Sequence, residues 1–423
     1  MIKLLILADD FTGTLDTAVQ FAEKGISVRI SVDPEEAQFD SDYEVLAVDL
    51  ETRHLDKREA YTRVYKIAKR GLAAGVEYIY KKTDSTLRGN IGSELEALTV
   101  ACNQESVCFL PAYPQAGRTT KKGVQYLDGV PIHKSIFGAD PYEPVRYSLV
   151  SEIIGETSDI QTRNVGTDEL ESLYKGKKDC GEVMIVDAET VEDIGLVAEF
   201  LSRKRKLKLF AGCAGFATYL DRIISFKHTK LINFPGANKL VMVSGSLNEV
   251  TAQQIRIYEE NGSETLGRFT LKVLQKLQEH YFQSGECKET LRIIKEKIQN
   301  NEVCIIDTFD TEPGETKRIA IEQGLEGMAL GERIADNIGE LIEIMTKSFP
   351  EALYLLTGGD TLYGYIKRHK KAQIIPIREV EKGAVLTAVK EEGSLLFMIT
   401  KAGGLGTERV VENVKSYMKA RTN

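Results

Sequence analysis

The sequence predicts an α/β protein of two domains, each a largely parallel sheet flanked by helices, with the active site in the interdomain cleft. Three observations carry this expectation. Short apolar runs alternate with segments of helical period, which is the pattern of parallel strands covered by helices. At 423 residues the chain exceeds what one hydrophobic core supports. Polar or glycine-rich clusters follow the apolar runs, and open α/β sheets bind ligands at the carboxyl ends of their strands.

KLLILA (3–8) reads as a first buried strand, because it is too short for a signal peptide or a membrane span and two aspartates follow at once. Leu15, Ala18, Val19 and Ala22 then fall at helical spacing, with Gly25 placed to cap the helix, so 1–32 is a βαβ unit. ISVRISV (26–32), YEVLAVD (43–49), VEYIYK (76–81), SVCFLPA (106–112), VMIVDA (183–188) and LKLFAG (207–212) supply the remaining strands of the first domain. Residues 111–147 interrupt the alternation with Pro111, Pro114, Pro131, Pro141 and Pro144, and read as a long ordered excursion that forms a lid or ligand wall. The weakly patterned stretch 225–239 marks the boundary between a substrate domain, 1–228, and a nucleotide-binding domain, 238–423. The second domain has LVMVS (240–244), EVCIIDT (302–308), ALYLLT (352–357), AQIIPI (372–377) and SLLFMIT (394–400), with long helical periodicity at 314–346.

A composition of 42% hydrophobic and 28% charged residues is that of an ordinary soluble globular protein. The net charge of -8 argues against a nucleic-acid surface, and RKRK at 203–206 reads as a solvated helix end. No membrane partner is expected. The six cysteines show neither CxxC nor paired spacing, which fits a reducing cytoplasm. The five histidines lack metal-ligand spacing, so no protein metal site is expected. A symmetric homodimer is the base-rate expectation for a soluble enzyme.

The chemistry lies in the clusters. SGSLNEVT (244–251), TGGDT (357–361) and KAGGLGTE (401–408) each place glycines between a strand and a helical pattern, where backbone N–H groups and a helix N-terminus hold anions. Tight strand-to-helix turns are the plainer reading of any one of them. None matches the Walker A or GxGxxG pattern, which disfavours a P-loop protein or a dehydrogenase. The first domain presents carboxylates and hydroxyls instead: Asp9, Asp10, Thr12 and Asp16, then Asp49 and Thr52, then Lys82, Asp84, Ser85 and Arg88. Such groups suit a polyhydroxylated ligand, with Arg88 placed to clamp a carboxylate. Helix capping accounts for one of Asp9 and Asp10, and a surface ion pair is the plainer role for Lys82 and Arg88. GRTTKKG (117–123) adds Arg118 on a glycine-flanked loop. Together these groups describe phosphoryl transfer, which needs in-line positioning, Mg²⁺, cations and a carboxylate to take the hydroxyl proton.

LADDFTGTLDTA (7–18), YKKTDSTLRGNIGSEL (80–95), LPAYPQAGRTTKKG (110–123), FGADPYEPVRYS (137–148), AGCAGFA (211–217), VSGSLNEVTAQQI (243–255), TGGDT and KAGGLG (401–406) resemble, in order, the segments of the four-carbon acid sugar kinases. The resemblance implies ATP-dependent phosphorylation of the 4-hydroxyl of D-threonate, D-erythronate or a 3-oxo-tetronate in carbohydrate acid catabolism. It implies that Ser244 or Ser246, Gly358, Gly359, Asp360, Thr361, and Gly403 or Gly404 contact ATP. It also implies that Asp9, Asp10, Lys82, Asp84 and Arg88 face the sugar acid; in the kinase reading of these residues, Asp10 or Asp84 is the base. Three segments depart from the family pattern: TGGDT has Asp360 where Glu is usual, KAGGLG has Ala402 and Leu405 for Ser and Phe, and GCAGFA has Cys213. A sensor that binds sugar acid and nucleotide without turnover is the alternative from another class.

Overall fold

The computed structural model describes residues 2–39, 42–140, 144–174, 181–204, 206–227, 232–246, 248–261, 266–391 and 393–420. Pro141, Cys180, Arg205, His228 and Leu247, and the expected domain limits at 1, 228 and 423, lie outside these residues. The chain divides into two compact units, Met1–Lys230 and Leu231–Asn423.

In the first unit β1 (Leu4–Ala8), β2 (Val28–Ser31), β3 (Val45–Asp49), β4 (Tyr78–Lys82) and β5 (Val107–Leu110) are short and buried along their whole length. That is why they read as continuous apolar runs. β6 (Arg118–Lys121), β7 (Val124–Leu127) and β8 (Val130–Pro131) make a separate antiparallel sheet. β9 (Gln161–Val165), β10 (Glu182–Val186) and β11 (Leu209–Gly212) complete a parallel sheet of order β2-β3-β1-β4-β11-β5-β10-β9. The chain builds β2 and β3 on one side of β1 and then crosses to place β4 on the other. The carboxyl ends of β1, β3 and β4 therefore open one crevice, at a topological switch point. The helix Phe11–Glu23 starts there, and Gly25, at φ 74°, ends it with its N–H on Ala22 O at 2.9 Å.

The second unit repeats the device with β12 (Leu240–Ser244), β13 (Leu266–Thr270), β14 (Val303–Asp307), β15 (Leu353–Thr357), β16 (Gln373–Glu381), β17 (Ala384–Glu391) and β18 (Ser394–Lys401). Their order is β13-β14-β12-β15-β18-β17-β16. The pairs from β13 to β18 are parallel, and the last two strands return antiparallel. Here β12 has β14 on one side and β15 on the other, so the turns after β12, β14, β15 and β18 share one end of the sheet.

The expected strands are present, and β9, β13 and β17 join them unannounced. The excursion at 111–147 is not a plain loop, since it carries β6, β7 and β8. The helical period at 314–346 resolves into two helices, Glu315–Glu322 and Gly327–Ser348, because Gly324 takes φ 75° between them. Among the described residues no helix is long and apolar enough to cross a membrane.

Candidate active site

In the first unit the crevice is organised by Arg53, a residue the motif reading passed over. Its Nε and Nη2 both reach Asp9 Oδ2 at 2.8 Å, and its Nη1 reaches Asp10 Oδ2 at 2.7 Å. Burial pushes the Asp9 carboxyl up, but Arg53, Lys81 and Lys82 outweigh it and hold the group below its ordinary value. Asp10 is the helix cap of the pair: its Oδ1 accepts from Gly13 N at 2.8 Å, while the rest of the carboxylate stays partly open. A Cβ on Gly13 would lie 2.5 Å from Asp10 Oδ1 and 2.6 Å from Lys82 Nζ, so glycine is what lets the Lys82 ammonium approach this turn.

Asp84 is held differently. Its Oδ2 accepts from Arg88 Nε at 2.7 Å, from Arg88 N at 3.3 Å and from the Thr86 hydroxyl, and its Oδ1 accepts from Arg88 Nη2 at 3.3 Å. Burial raises this carboxyl too, yet Arg53 and Arg88 drive it well below the carboxylate range. The same Arg88 stacks on Phe137, its Cζ 5.4 Å from the ring centroid, and Arg118 approaches that ring at 6.0 Å. Arg118 also donates to Ala116 O, and its buried Nε has no hydrogen-bond partner. Ser85 is half-buried on the same turn.

A buried ion pair behind the crevice was also missed. Lys81, inside β4, meets Glu94 Oε2 at 3.0 Å with both side chains sealed from water. A lysine in the middle of an apolar strand was the available signal. Asp49, fully buried at the end of β3, has its carboxyl raised well above the ordinary value, first by burial and then by Glu51. Glu51 sits at φ 45° and accepts from Phe11 N at 3.2 Å.

In the second unit three glycine turns interlock. Gly245 N donates to Thr357 O at 3.2 Å and to Thr361 Oγ1 at 3.1 Å; Gly358 N donates to Lys401 O at 2.9 Å. A Cβ on Gly403 would lie 2.2 Å from Ser246 Oγ, and one on Gly245 would lie 2.5 Å from Thr361 Oγ1, so a side chain at either position would displace these hydroxyls. The turns open on a cavity of about 1180 Å³ lined by Gly245, Ser246, Gly358, Gly359, Asp360, Thr361, Gly403 and Gly404. Ser244 is not among the lining residues: it is buried at the end of β12, and its hydroxyl has no partner. Sequence reasoning missed the cations on this cavity, Arg256, Arg268, Lys276 and Lys317. Lys276 Nζ lies 2.6 Å from Asp310 Oδ1 and 3.1 Å from Thr308 O, and Arg268 Nε lies 2.9 Å from Asp307 Oδ2. Leu330, Ile334 and Ile338, one apolar stripe of the Gly327–Ser348 helix, form a wall of the same cavity.

Among the described residues no group of three or more His, Cys, Asp or Glu side chains could hold a metal ion. A magnesium ion bound mostly by phosphate oxygens and water fits that, since it needs only one or two protein carboxylates. Asp360, exposed on the cavity lining, is a carboxylate of that kind.

A family model described as a sugar-binding N-terminal domain matches residues 4–220, and one described as a nucleotide-binding C-terminal domain matches residues 241–411. A D-threonate kinase of Salmonella typhimurium is 25% identical, over 99% of this chain and 98% of its own. A D-erythronate kinase of Heliobacterium modesticaldum is 25% identical, over 85% and 83%. A solved structure of a Salmonella typhimurium protein superposes with a TM-score of 0.81 at 19% identity, covering 99% of this chain and all of that one, which shows a shared fold.

Proposed function

The chain belongs to the family that joins a sugar-binding N-terminal domain to a nucleotide-binding C-terminal domain, and from that premise we propose an ATP-dependent kinase that phosphorylates the 4-hydroxyl of a four-carbon sugar acid. Relatives along nearly the whole chain are kinases of such acids. The observation that carries the reading is the pairing of chemistries. One unit's switch point holds carboxylates, Lys82 and Arg88; the other's holds interlocked glycine turns on a cavity large enough for a nucleotide.

In this reading 1–228 binds the sugar acid and 238–423 binds ATP. Gly358, Gly359, Thr361, Gly403, Gly404 and Ser246 cradle the phosphates, and the stripe Leu330, Ile334 and Ile338 takes the adenine face. Lys276 and Arg268 add positive charge. Asp360 is the carboxylate for a magnesium ion carried by the nucleotide, and that ion neutralises charge on the phosphates. Arg88 and Arg118, gathered on Phe137, bind the substrate carboxylate, while Asp9, Lys82 and Ser85 bind its hydroxyls.

The base we assign is Asp10. The substrate hydroxyl attacks the γ-phosphorus, the bond to the β–γ bridging oxygen breaks, ADP leaves, and the hydroxyl proton passes to Asp10. Asp84 suits this poorly, because Arg53, Arg88 and Thr86 together depress its basicity and its side chain is 10% exposed, against 24% for that of Asp10. Its task is to aim Arg88.

The test is ADP release from Mg-ATP across D- and L-threonate, D- and L-erythronate, their 3-oxo forms and glycerate. Substrate-dependent ADP from one tetronate is the expected result. Silence across the panel with ATP bound would leave a binding protein without turnover.

A further inference from the structure

The third glycine turn carries a fixed set of hydrogen bonds on its inner side. Lys401 Nζ, 2% exposed, donates to Ala402 O at 3.0 Å, Gly403 O at 3.3 Å and Leu405 O at 3.0 Å, and contacts Thr251 Oγ1 at 3.3 Å. Thr251 Oγ1 in turn donates to Gly403 O at 2.7 Å. Gln254 Nε2 reaches Leu405 O at 3.2 Å and Thr407 O at 2.9 Å. Thr251 and Gln254 lie one helical turn apart on Glu249–Glu260, the helix that follows β12. Carbonyls from 402 to 407 are thus drawn to one side by three side chains.

A trans peptide is planar, so the C=O of one residue and the N–H of the next point in opposite directions. Drawing Ala402 O, Gly403 O and Leu405 O inward turns the N–H groups of Gly403, Gly404 and Gly406 outward. Gly403 and Gly404 line the cavity. Successive N–H groups turned to one side form an anion-binding concavity. A side chain at Gly406 would be strained, since its φ is 90°, and its Cβ would press on the clamp, 3.2 Å from Gln254 Nε2 and 3.4 Å from Lys401 Cδ.

We infer that Lys401, Thr251 and Gln254 are positioning residues that hold this turn in its phosphate-binding form by capturing its carbonyls, without touching the nucleotide themselves. The inference rests on the nucleotide reading of the second unit. The acceptors of Lys401 are neutral oxygens, so the ammonium is buried with its charge uncompensated by them. Burial lowers it to about 8, against a smaller upward pull from Glu381. A phosphate on the outer side of the turn supplies the opposite charge, and the field of the ammonium adds to that of the N–H groups.

The experiment measures Mg-ADP affinity by calorimetry and steady-state KM for ATP and for the sugar acid, on the full-length protein and on Lys401→Met, Thr251→Ala and Gln254→Leu. For Lys401→Met the expected result is an ADP Kd and an ATP KM about tenfold or more above wild type, with the sugar-acid KM within about twofold. Thr251→Ala, which keeps the ammonium, is expected to give a smaller loss of the same kind. A general loosening of the fold would move both KM values together and would overturn the assignment. So would Lys401→Met with an unchanged ATP KM. Should Lys401→Met fail to fold, Thr251→Ala and Gln254→Leu decide: unchanged ADP affinity in both overturns the clamp. Wild-type protein that binds no Mg-ADP instead overturns the nucleotide reading, and a clamp that fails on a wild type that does bind leaves that reading standing.

Discussion

Arg53 holds Asp9 by two nitrogens on one oxygen, Nε and Nη2 each 2.8 Å from Oδ2. The Asp9 side chain is 3% exposed and that of Arg53 is 11%. Removing one partner of such a pair strands a charge away from water. Arg53→Met is expected to destabilise the protein by about 3–5 kcal/mol, read as a fall in the urea midpoint at unchanged slope. A loss under about 1 kcal/mol would mean the pair is solvated like a surface bridge.

The roles of the two candidate bases separate on kinetics. Asp10→Asn is expected to lower kcat by about 10²–10⁴ while the sugar-acid KM stays near wild type. Asp84→Asn frees Arg88, so its main effect is a raised sugar-acid KM. Equal kcat losses in the two variants would remove the distinction drawn between them.

Asp49 gives a pH prediction with a definite sign. Its folded-state carboxyl titrates above the unfolded value of about 3.9, because burial and then Glu51 favour the protonated form. The contribution is therefore complete below the unfolded value and is lost as pH rises through the folded one. Asn mimics the protonated carboxyl. Asp49→Asn should gain stability over wild type at pH 8 and gain nothing at pH 4, as measured by denaturant unfolding at the two values. A pH-independent difference would show that Asp49 does not titrate in that range.

Gly331 tests the apolar wall of the cavity. It lines the cavity within the Gly327–Ser348 helix, and a Cβ there would meet nothing within 4 Å. Gly331→Leu should fold at least as well as wild type, since glycine costs a helix interior about 1 kcal/mol. It should raise the ATP KM severalfold and leave the sugar-acid KM alone. An unchanged ATP KM would move the adenine elsewhere.

Buried parallel strands are legible because both faces are apolar, and the polar residues that end them stand out by contrast: Asp9 after β1 and Asp84 after β4 were visible for that reason. β9 was not, since QTRNV buries only its last residue, and β6 was not, since RTTK carries no apolar run. Arg53 was hidden in ETRHLD, where nothing local distinguishes it. The signal was global, because Asp9, Asp10 and Asp84 on neighbouring strand ends require a cation between them. Ser244 and Ser246 could not be told apart in the sequence, since a serine in a glycine turn reads as a ligand group; Ser244, at the last position of β12, is buried, and Ser246 is the one that lines the cavity.

The small sheet of β6, β7 and β8 meets the parallel sheet's loops through single bridges, Thr120 with Ala188 and Val124 with Leu149. Arg118 also bridges to Tyr113, Gln125 N donates to Ser148 O at 2.8 Å and Lys121 pairs with Glu189 at 2.9 Å, while the remaining ladder bonds join its strands to each other. Arg118 rides on this appendage, whereas Arg88 belongs to the turn of the main sheet. An insertion or deletion at its Asp128–Gly129 tip leaves the core's registers untouched. The position of Arg118 can therefore vary as an exchangeable module while the groups at the switch point of the main sheet are inherited unchanged.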